Sequence, residues 1–487
     1  MEIKNKDLAS FLGLDINSLD NIFQVEFNDF SDSSIVKGKI QSVDNIRNQI
    51  MKIWEERAII LDITRDNFVI PNGMENSAYH HKFDKEYFSS RRIKAHKFTG
   101  LKELGLRYDE ELRQIDGKPN SNGDLNILLH YQVEGQTTDV YHEKPIRFVI
   151  NADPKSLWKD LPSDKDDKFW KKDNDSIITT IGERKVVISS KRGRSHQNVG
   201  SFRDDHFAIK FFERTGWTAV VVSDGAGSSP FSRKGSQVAC DGIIEYLEQT
   251  KSYRDILQFD NLIRDHDKTS DKVKKDDILT DATSLSKKFL YKAVIHSFNR
   301  IKEIAEETKS LYPEDFTNNK LKSDIEYFHS TLIFTVFKKF DSGYIILTFS
   351  VGDCPISVVD ETNNYSKLLN YLDVGQFGGG TRFLTQTEIF HSAERPIADR
   401  FNLYYEKNFS HLFLMSDGIY DPKFEVEANL EKTDIWLNFI KDLKGENEDN
   451  CSIDFTKEDS EIECNLNQWM DFWNKGNHDD RTLAIIF

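Results

Sequence analysis

The chain has 487 residues, too many for one small domain, and its 38% hydrophobic content, with 35 Phe and 16 Tyr, supplies material for substantial cores and excludes wholesale disorder. With 81 Asp+Glu against 65 Lys+Arg, the formal charge of -16 disfavours a non-specific grip on nucleic acid or on an anionic membrane. No apolar stretch approaches the roughly 20 residues that cross a bilayer, the opening MEIKNKDLASFLGLD lacks signal-peptide order, and the 4 Cys lack CxxC spacing, so the expectation is a cytoplasmic protein without a disulfide framework or zinc knuckle.

Residues 1 to about 117 carry mixed helical signals, the clearest from Val43 to Ile60, where Ile46, Ile50, Ile53 and Trp54 recur at helical spacing. From Leu125 to Val133 the pattern alternates, and Ile146, Phe148 and Ile150 repeat it after a polar turn, which predicts an antiparallel pair closing a small β-rich module. The run ADPKSLWKDLPSDKDDKFWKKDNDS combines prolines with dense charge and reads as a linker over residues 151–176. The domains expected are therefore 1–150, of no evident chemistry, and 177–487.

Beyond residue 177, short apolar runs at Trp217 to Val222, Leu332 to Phe337, Tyr344 to Phe349, Leu412 to Met415 and Leu483 to Phe487 predict buried strands. Between them the spacing predicts a helix over about Ser236 to Glu248 and another over about Leu285 to Glu307, each with an apolar stripe for a sheet. Lys251 to Asp281 and Glu446 to Glu463 are charge-rich and read as surface excursions.

Aspartates stand just beyond several of these runs: Asp224 after TAVVVS, Asp353 after FSVG, Asp417 after LFLMS, and the pair Asp479 and Asp480 before RTLAIIF. A single Ser-Asp-Gly is ordinary turn chemistry. Several such carboxylates gathered at one sheet rim would repel one another unless a cation sat among them, and oxygen donors without a His or Cys set favour Mg²⁺ or Mn²⁺ over zinc.

The stretches SHQNVGSFRDDHFAI and VVVSDGAGSSPFSRKGSQVACDGI, followed in order by FHSTLIFTVF, FSVGDCPISVV, LFLMSDGIYD and HDDRTLAIIF, resemble the metal-dependent protein phosphatases of type 2C over about residues 177–487. The resemblance implies an α+β fold, a β-sandwich of two antiparallel sheets flanked by helices, here preceded by a smaller mixed α/β-rich N-terminal region. It also implies two Mg²⁺ or Mn²⁺ ions at one end of the sandwich and a third, weaker site. Matched motif by motif, Asp204 and Asp205 take the place of the first acidic pair and would help hold the second metal. Asp224 matches the bridging aspartate, and Gly225 the residue whose carbonyl completes the second metal's shell. Asp417 and Asp479 match the remaining ligands of the first metal, and Asp353 the third site; Asp480 sits where many relatives have Asn and is the weaker candidate.

Two departures stand out. Gly200 occupies the position where the family places a phosphate-gripping Arg, which leaves Arg194, His196 and Arg203 as substitutes; RGRSHQNVG looks like a bacterial subgroup with a His before the acidic pair, so His196 is the favoured phosphate contact. Ala226 replaces a His proposed as general acid in eukaryotic relatives, so the leaving group's proton would come from solvent or a bound water. GQFGGGTRFLT, residues 375–385, resembles a flap segment of the same subgroup. A Walker-type reading of DGAGSSPFSRKGS fails because Gly235 follows Lys234.

The resemblance thus implies a serine/threonine protein phosphatase that hydrolyses phosphomonoesters by direct attack of a water shared by two metals, with Asp224, Asp417, Asp479 and His196 as its catalytic set. Its partners would be a phosphorylated protein and the kinase that opposes it, without nucleic acid or membrane. The alternatives are a phosphatase-like module that senses a phosphorylated partner without turnover, governed by its N-terminal region, and a nucleotide-hydrolysing enzyme, which the missing P-loop disfavours.

Overall fold

The computed structural model describes residues 5–317, 320–373, 380–393 and 395–487; residues 375–379 of the glycine-rich run read as a flap lie outside them. The chain forms two compact units, Met1–Leu157 and Trp158–Phe487.

In the first unit, Asp20 caps the helix Asn21–Asp32 by accepting from the Ile22 and Phe23 amides, and Ser33 caps the 32-residue helix Ser34–Arg65. The far end of that long helix turns Ile59 and Ile63 into a core; Ile46, Ile50, Ile53 and Trp54 are exposed. The predicted antiparallel pair is present as Gly123–Val133 against His142–Asn151, within a four-stranded sheet that also holds Gly73–Met74 and Ile93–Thr99. Its alternating residues Ile127, Leu129, Tyr131, Ile146 and Phe148 face one core, and a second sheet of three short strands pairs nearby in sequence.

The second unit is a sandwich of two antiparallel sheets. One has the order His206–Phe212, Trp217–Ser223, Leu332–Phe340, Gly343–Val351, Phe401–Glu406; the other Tyr365–Leu368, Ile356–Asp360, His411–Met415, Arg481–Ile486, Arg184–Lys191, Asn174–Ile181. The apolar runs are continuous because both faces of each sheet are covered. Val220 and Val222 meet Val186, Ile188, Leu412, Leu414 and Ala484 between the sheets, while Ala219 and Val221 turn outward to one helical layer and Val187, Phe413 and Leu483 to another.

The first layer consists of Ser232–Glu248, Thr250–Lys268 and Lys272–Leu311, longer than the periodicity predicts. Most of Lys251 to Asp281, read as a surface excursion, is helical: Ile256, Phe259 and Ile263 recur every three or four residues and are buried. Its charge density hid that stripe, and the charge is partly internal, since buried Asp260 accepts from Trp217 Nε1 at 2.7 Å and from Lys338 Nζ. The acidic segment Glu446 to Glu463 likewise contributes buried Ile453 and Ile462 to the second layer and starts the helix Asp459–Trp469.

The stretch 151–176 divides between the units. From Trp158 on it lies against the second: Arg192 reaches Asp160 and the Leu161 carbonyl, Arg233 donates to Asp167 at 2.6 Å, and the Phe169 ring stands 5.4 Å from that of Phe231.

Candidate metal centre

The strand Trp217–Ser223 ends at Asp224, whose amide donates to Thr331 Oγ1 at 2.9 Å while its carbonyl accepts from the Thr331 amide at 2.8 Å. The next residue, Gly225, bridges to Ser330, and a Cβ there would stand 2.7 Å from the Asp204 carbonyl oxygen, so only glycine lets the two backbones approach. Asp224 and Asp204 are thereby fixed beside each other although 20 positions apart.

The strand His411–Met415 delivers Asp417 at the first position of the helix Asp417–Phe424, where the helix N-terminus favours a carboxylate. The turn after Gly343–Val351, where the chain crosses to Ile356–Asp360 of the other sheet, delivers Asp353. Its Oδ2 accepts from Thr381 Oγ1 at 2.6 Å, and its turn is tied down by Asp373, which accepts from the Gly352 amide at 3.2 Å, from Arg395 at 2.9 Å and from Arg400. The strand Arg481–Ile486 is preceded by Asp479 and Asp480.

Asp224, Asp353 and the Cys354 thiol offer donor atoms within 4.8 Å of one another, and His196, Asp204 and Asp480 form a second such group. Burial raises Asp224 well above the usual carboxylate range, with Asp417, Asp205, Asp479 and Asp353 adding to it; burial and then Asp353 and Asp479 do the same to Asp417. Burial with Asp480 nearby pushes Asp204 up to about 7 and Asp205 up to about 6. Among the described residues, Asp205 Oδ1, Asp353 Oδ1 and Asp417 Oδ1 are buried without a hydrogen-bond partner. Crowded carboxylates with orphaned oxygens fit a hard divalent ion, the donor set being almost wholly oxygen.

Asp480, the weaker candidate by sequence, holds one flank together. Its Oδ1 accepts from the Gly193 amide at 2.6 Å and stands 3.0 Å from His196 Nδ1, and its Oδ2 accepts from the Asp204 amide. It therefore works through its neighbours, with both oxygens used inside the protein. Burial opposes a charge on His196, but Asp480, Asp204 and Asp479 outweigh it and push the imidazole up to about 10, which favours its cationic form; its Nε2 lies 3.9 Å from Asp204 Oδ2. Of the other two cations considered, Arg203 is buried and donates to the Lys172 carbonyl at 3.0 Å and to Ser190, and Arg194 donates to the Asp471 carbonyl at 2.8 Å while lying over Trp473. Ala226 places no titratable group; its amide bonds the His329 carbonyl at 3.0 Å.

Two contributors escaped the sequence reading. Thr482 Oγ1 donates to Asp205 Oδ2 at 2.7 Å, and the alternating strand RTLAII places it on the same face as Ala484, which is a usable signal. Lys171 carries none: it is one of many lysines in the charged run, yet its ammonium lies among the carbonyls of Asp204, Asp205 and Arg233, and burial, with Arg203 nearby, pulls it down to about 7.

The family model described as Protein phosphatase 2C matches residues 192–452. Similar solved structures include a bacterial serine phosphatase (16% identity, covering 62% of this chain and 96% of that one, TM-score 0.30). The S. agalactiae serine/threonine phosphatase gives 14% identity, 63% coverage of this chain and 99% of that one, and a TM-score of 0.32. The serine-threonine phosphatase 2C from Toxoplasma gondii gives 11% identity, 64% and 98% coverage and a TM-score of 0.36. No curated protein sequence matches this chain. Among the described residues no helix is long and apolar enough to cross a membrane.

Proposed function

This chain belongs to the protein phosphatase 2C family, and from that membership we propose that it is a metal-dependent protein-serine/threonine phosphatase acting on phosphorylated proteins set by an opposing kinase. The observation that carries the reading is the convergence of Asp224, Asp353 and Asp417 at the end of the sandwich, where Asp353 Oδ1 and Asp417 Oδ1 are buried without a hydrogen-bond partner. Asp417, Asp479 and the bridging Asp224 would hold one Mg²⁺ or Mn²⁺, and Asp224, the Gly225 carbonyl, Asp204 and Asp205 a second, with Asp353 at a third and weaker position. When bound, these ions make water acidic near neutral pH and offset charge on the phosphoryl oxygens.

The chain's own share is positioning and electrostatics. The threonine clamp on Asp224 fixes its main chain, so its carboxylate meets a cation without reorganising. Asp417 is held by its helix N-terminus. His196, kept cationic by Asp480, is the phosphate contact and adds positive charge to a rim otherwise built of carboxylates. Ala226 offers no proton, so the departing serine or threonine oxygen is protonated from solvent.

The test is hydrolysis of a phosphothreonine peptide and of nucleotides by the purified chain with Mn²⁺, with Mg²⁺ and with EDTA, beside Asp224→Ala. Metal-dependent release of phosphate from the peptide, abolished in the variant, supports the reading. No turnover with Mn²⁺ demonstrably bound would replace it with a phosphoprotein-sensing module.

A further inference from the structure

The proposed metal centre leans on a residue outside the stretch 192–452 that matches the family. Lys171 belongs to the charged run before the first strand of the sandwich, Asn174–Ile181. Its Nζ lies 2.6 Å from the Asp205 carbonyl oxygen, 3.2 Å from those of Asp204 and Arg233, and 3.3 Å from Ser236 Oγ. An ammonium has three donors, and here every one is spent on the protein's interior. Taking such a group out of water costs several kcal/mol unless its surroundings return that energy, and three of these four partners are neutral main-chain carbonyls.

What those carbonyls share is position. Asp204 is held at its amide by Asp480 and at its carbonyl by Lys171 and Ser236; Asp205 is held at its carbonyl by Lys171 and at its carboxylate by Thr482. The turn that presents both carboxylates is thus pinned by the 480–482 segment at the Asp204 amide and the Asp205 carboxylate, and by Lys171 at both carbonyls. The run that carries Lys171 is itself anchored, through Asp167 on Arg233 and through the Lys172 carbonyl, which accepts from Arg203 Nε at 3.0 Å.

We propose that Lys171 is a positioning residue of this centre, which by fixing the Asp204–Asp205 turn sets the affinity for the cation those two carboxylates hold. The inference rests on the metal-dependent reading above. Outer partners that orient ligands typically change metal affinity by about 10-fold to 100-fold. A lysine that served only general stability would lower the melting temperature and leave the binding isotherm alone.

The experiment is calorimetric titration of the full chain with Mn²⁺, without substrate, for the unsubstituted protein and for Lys171→Met, which keeps the aliphatic stem and removes the donors. The expected result is an isotherm in which one step weakens about 10-fold, with Lys171→Arg recovering part of the loss and the Mn²⁺ concentration for half-maximal turnover rising in parallel. Hydrogen exchange on the unsubstituted chain gives a second readout that needs no variant to fold. Because coupling is reciprocal, Mn²⁺ must increase protection in the peptide around Lys171 together with that around Asp205. Metal-dependent turnover with an isotherm unmoved by Lys171→Met, or protection gained around Asp205 alone, overturns this inference and leaves the phosphatase reading standing. An unsubstituted chain that binds no Mn²⁺ overturns both.

Discussion

Asp480 Oδ1 stands 3.0 Å from His196 Nδ1, joining the last residue before the final strand to the short helix Arg194–Val199. The same carboxylate takes the amides of Gly193 and Asp204, so three groups converge on a side chain that is 2% exposed. Asp480→Ala leaves two amides and an imidazolium without their acceptor in a buried place. The expected cost is about 3–5 kcal/mol, the range for breaking a buried charged pair from one side, read as a shift of the urea midpoint. Turnover should fall with it, because Asp204 loses its amide anchor. A variant of unchanged midpoint would show that this carboxylate is a bystander.

Asp417 behaves in the opposite sense. Burial, Asp353 and Asp479 all oppose its charge, and its Oδ1 is buried without a partner. In EDTA, Asp417→Asn removes an acid whose ionisation the fold opposes and raises the melting temperature; a gain of about 1 kcal/mol corresponds to about 1–2 °C in a unit of this size. The unsubstituted chain should gain stability on adding Mn²⁺, by mass action on the folded state, and the variant should gain much less while losing turnover. Scanning calorimetry of both proteins with and without the ion decides it, and a destabilised variant in EDTA would contradict the picture of an electrostatically strained centre.

The buried strands were legible because covering both faces of each sheet leaves them as unbroken apolar runs, and Asp224, Asp353, Asp417 and Asp479 because each stands beside such a run; the arrangement of the strands as a sandwich and the candidacy of Asp204 and Asp205 came only from the family resemblance. The helix Thr250–Lys268 was not legible, since a period of three or four in Ile256, Phe259 and Ile263 was submerged in charge that proves partly internal. Lys171 and Asp480 were undervalued for a related reason. Their partners lie 33 to 287 positions away, and a charged residue that is buried by distant segments has the same local surroundings in sequence as one on the surface.

Asp260 is the internal charge of that helix, between Trp217 Nε1 at 2.7 Å and the Lys338 ammonium. Asp260→Ala strands a buried indole N–H and leaves the largely buried Lys338 ammonium with the neutral Thr215 carbonyl, at 2.5 Å, but without its counter-charge, so the loss should again be about 3–5 kcal/mol. Because Trp217 is 1% exposed, its fluorescence should also shift as its bonding partner disappears. Asp260→Ala together with Lys338→Met should recover part of the stability that the single change removes, since the stranded charge is gone. A double variant no better than the single one would mean that the ammonium finds another partner.

His411 supplies the clearest pH dependence away from the carboxylates. It is 5% exposed, its Nδ1 lies 3.5 Å from Glu361 Oε1, and Lys444 bonds the same carboxylate. Burial lowers its pKa to about 4; Glu361 works against the shift, while Lys444 and Arg184 add to it. The folded chain therefore takes up this proton more weakly than the unfolded chain, whose histidine titrates near 6.5. The stability it contributes is present above pH 6.5 and is lost as pH falls toward 4, by about 3 kcal/mol at most. His411→Phe keeps a ring against Phe413 and Phe455, whose centroids lie 5.4 Å and 5.2 Å away, and should flatten the stability profile in that window. Equal slopes for the two proteins between pH 6.5 and 4 would place the acid sensitivity elsewhere.

Gly418 links packing directly to the candidate ligands. It follows Asp417 at the start of its helix, and a Cβ there would stand 2.0 Å from the Asp480 carbonyl oxygen and 3.3 Å from that of Asp479. Both neighbours are main chain and cannot swing aside, so Gly418→Ala must move either the helix start, with Asp417, or the 479–480 segment, with Asp479 and the Asp480 clamp. Every route displaces a carboxylate that a cation would need. A displacement of about 1 Å at a reacting centre can cost about 100-fold in rate, so turnover should fall by at least about tenfold, with weaker Mn²⁺ binding in the same variant. Gly476→Ala is the matched control a few residues before the same strand, since nothing lies within 4 Å of its added methyl, and it should leave both quantities unchanged. If Gly418→Ala kept full turnover and Mn²⁺ affinity, the approach of these two backbones would have no part in holding the centre together.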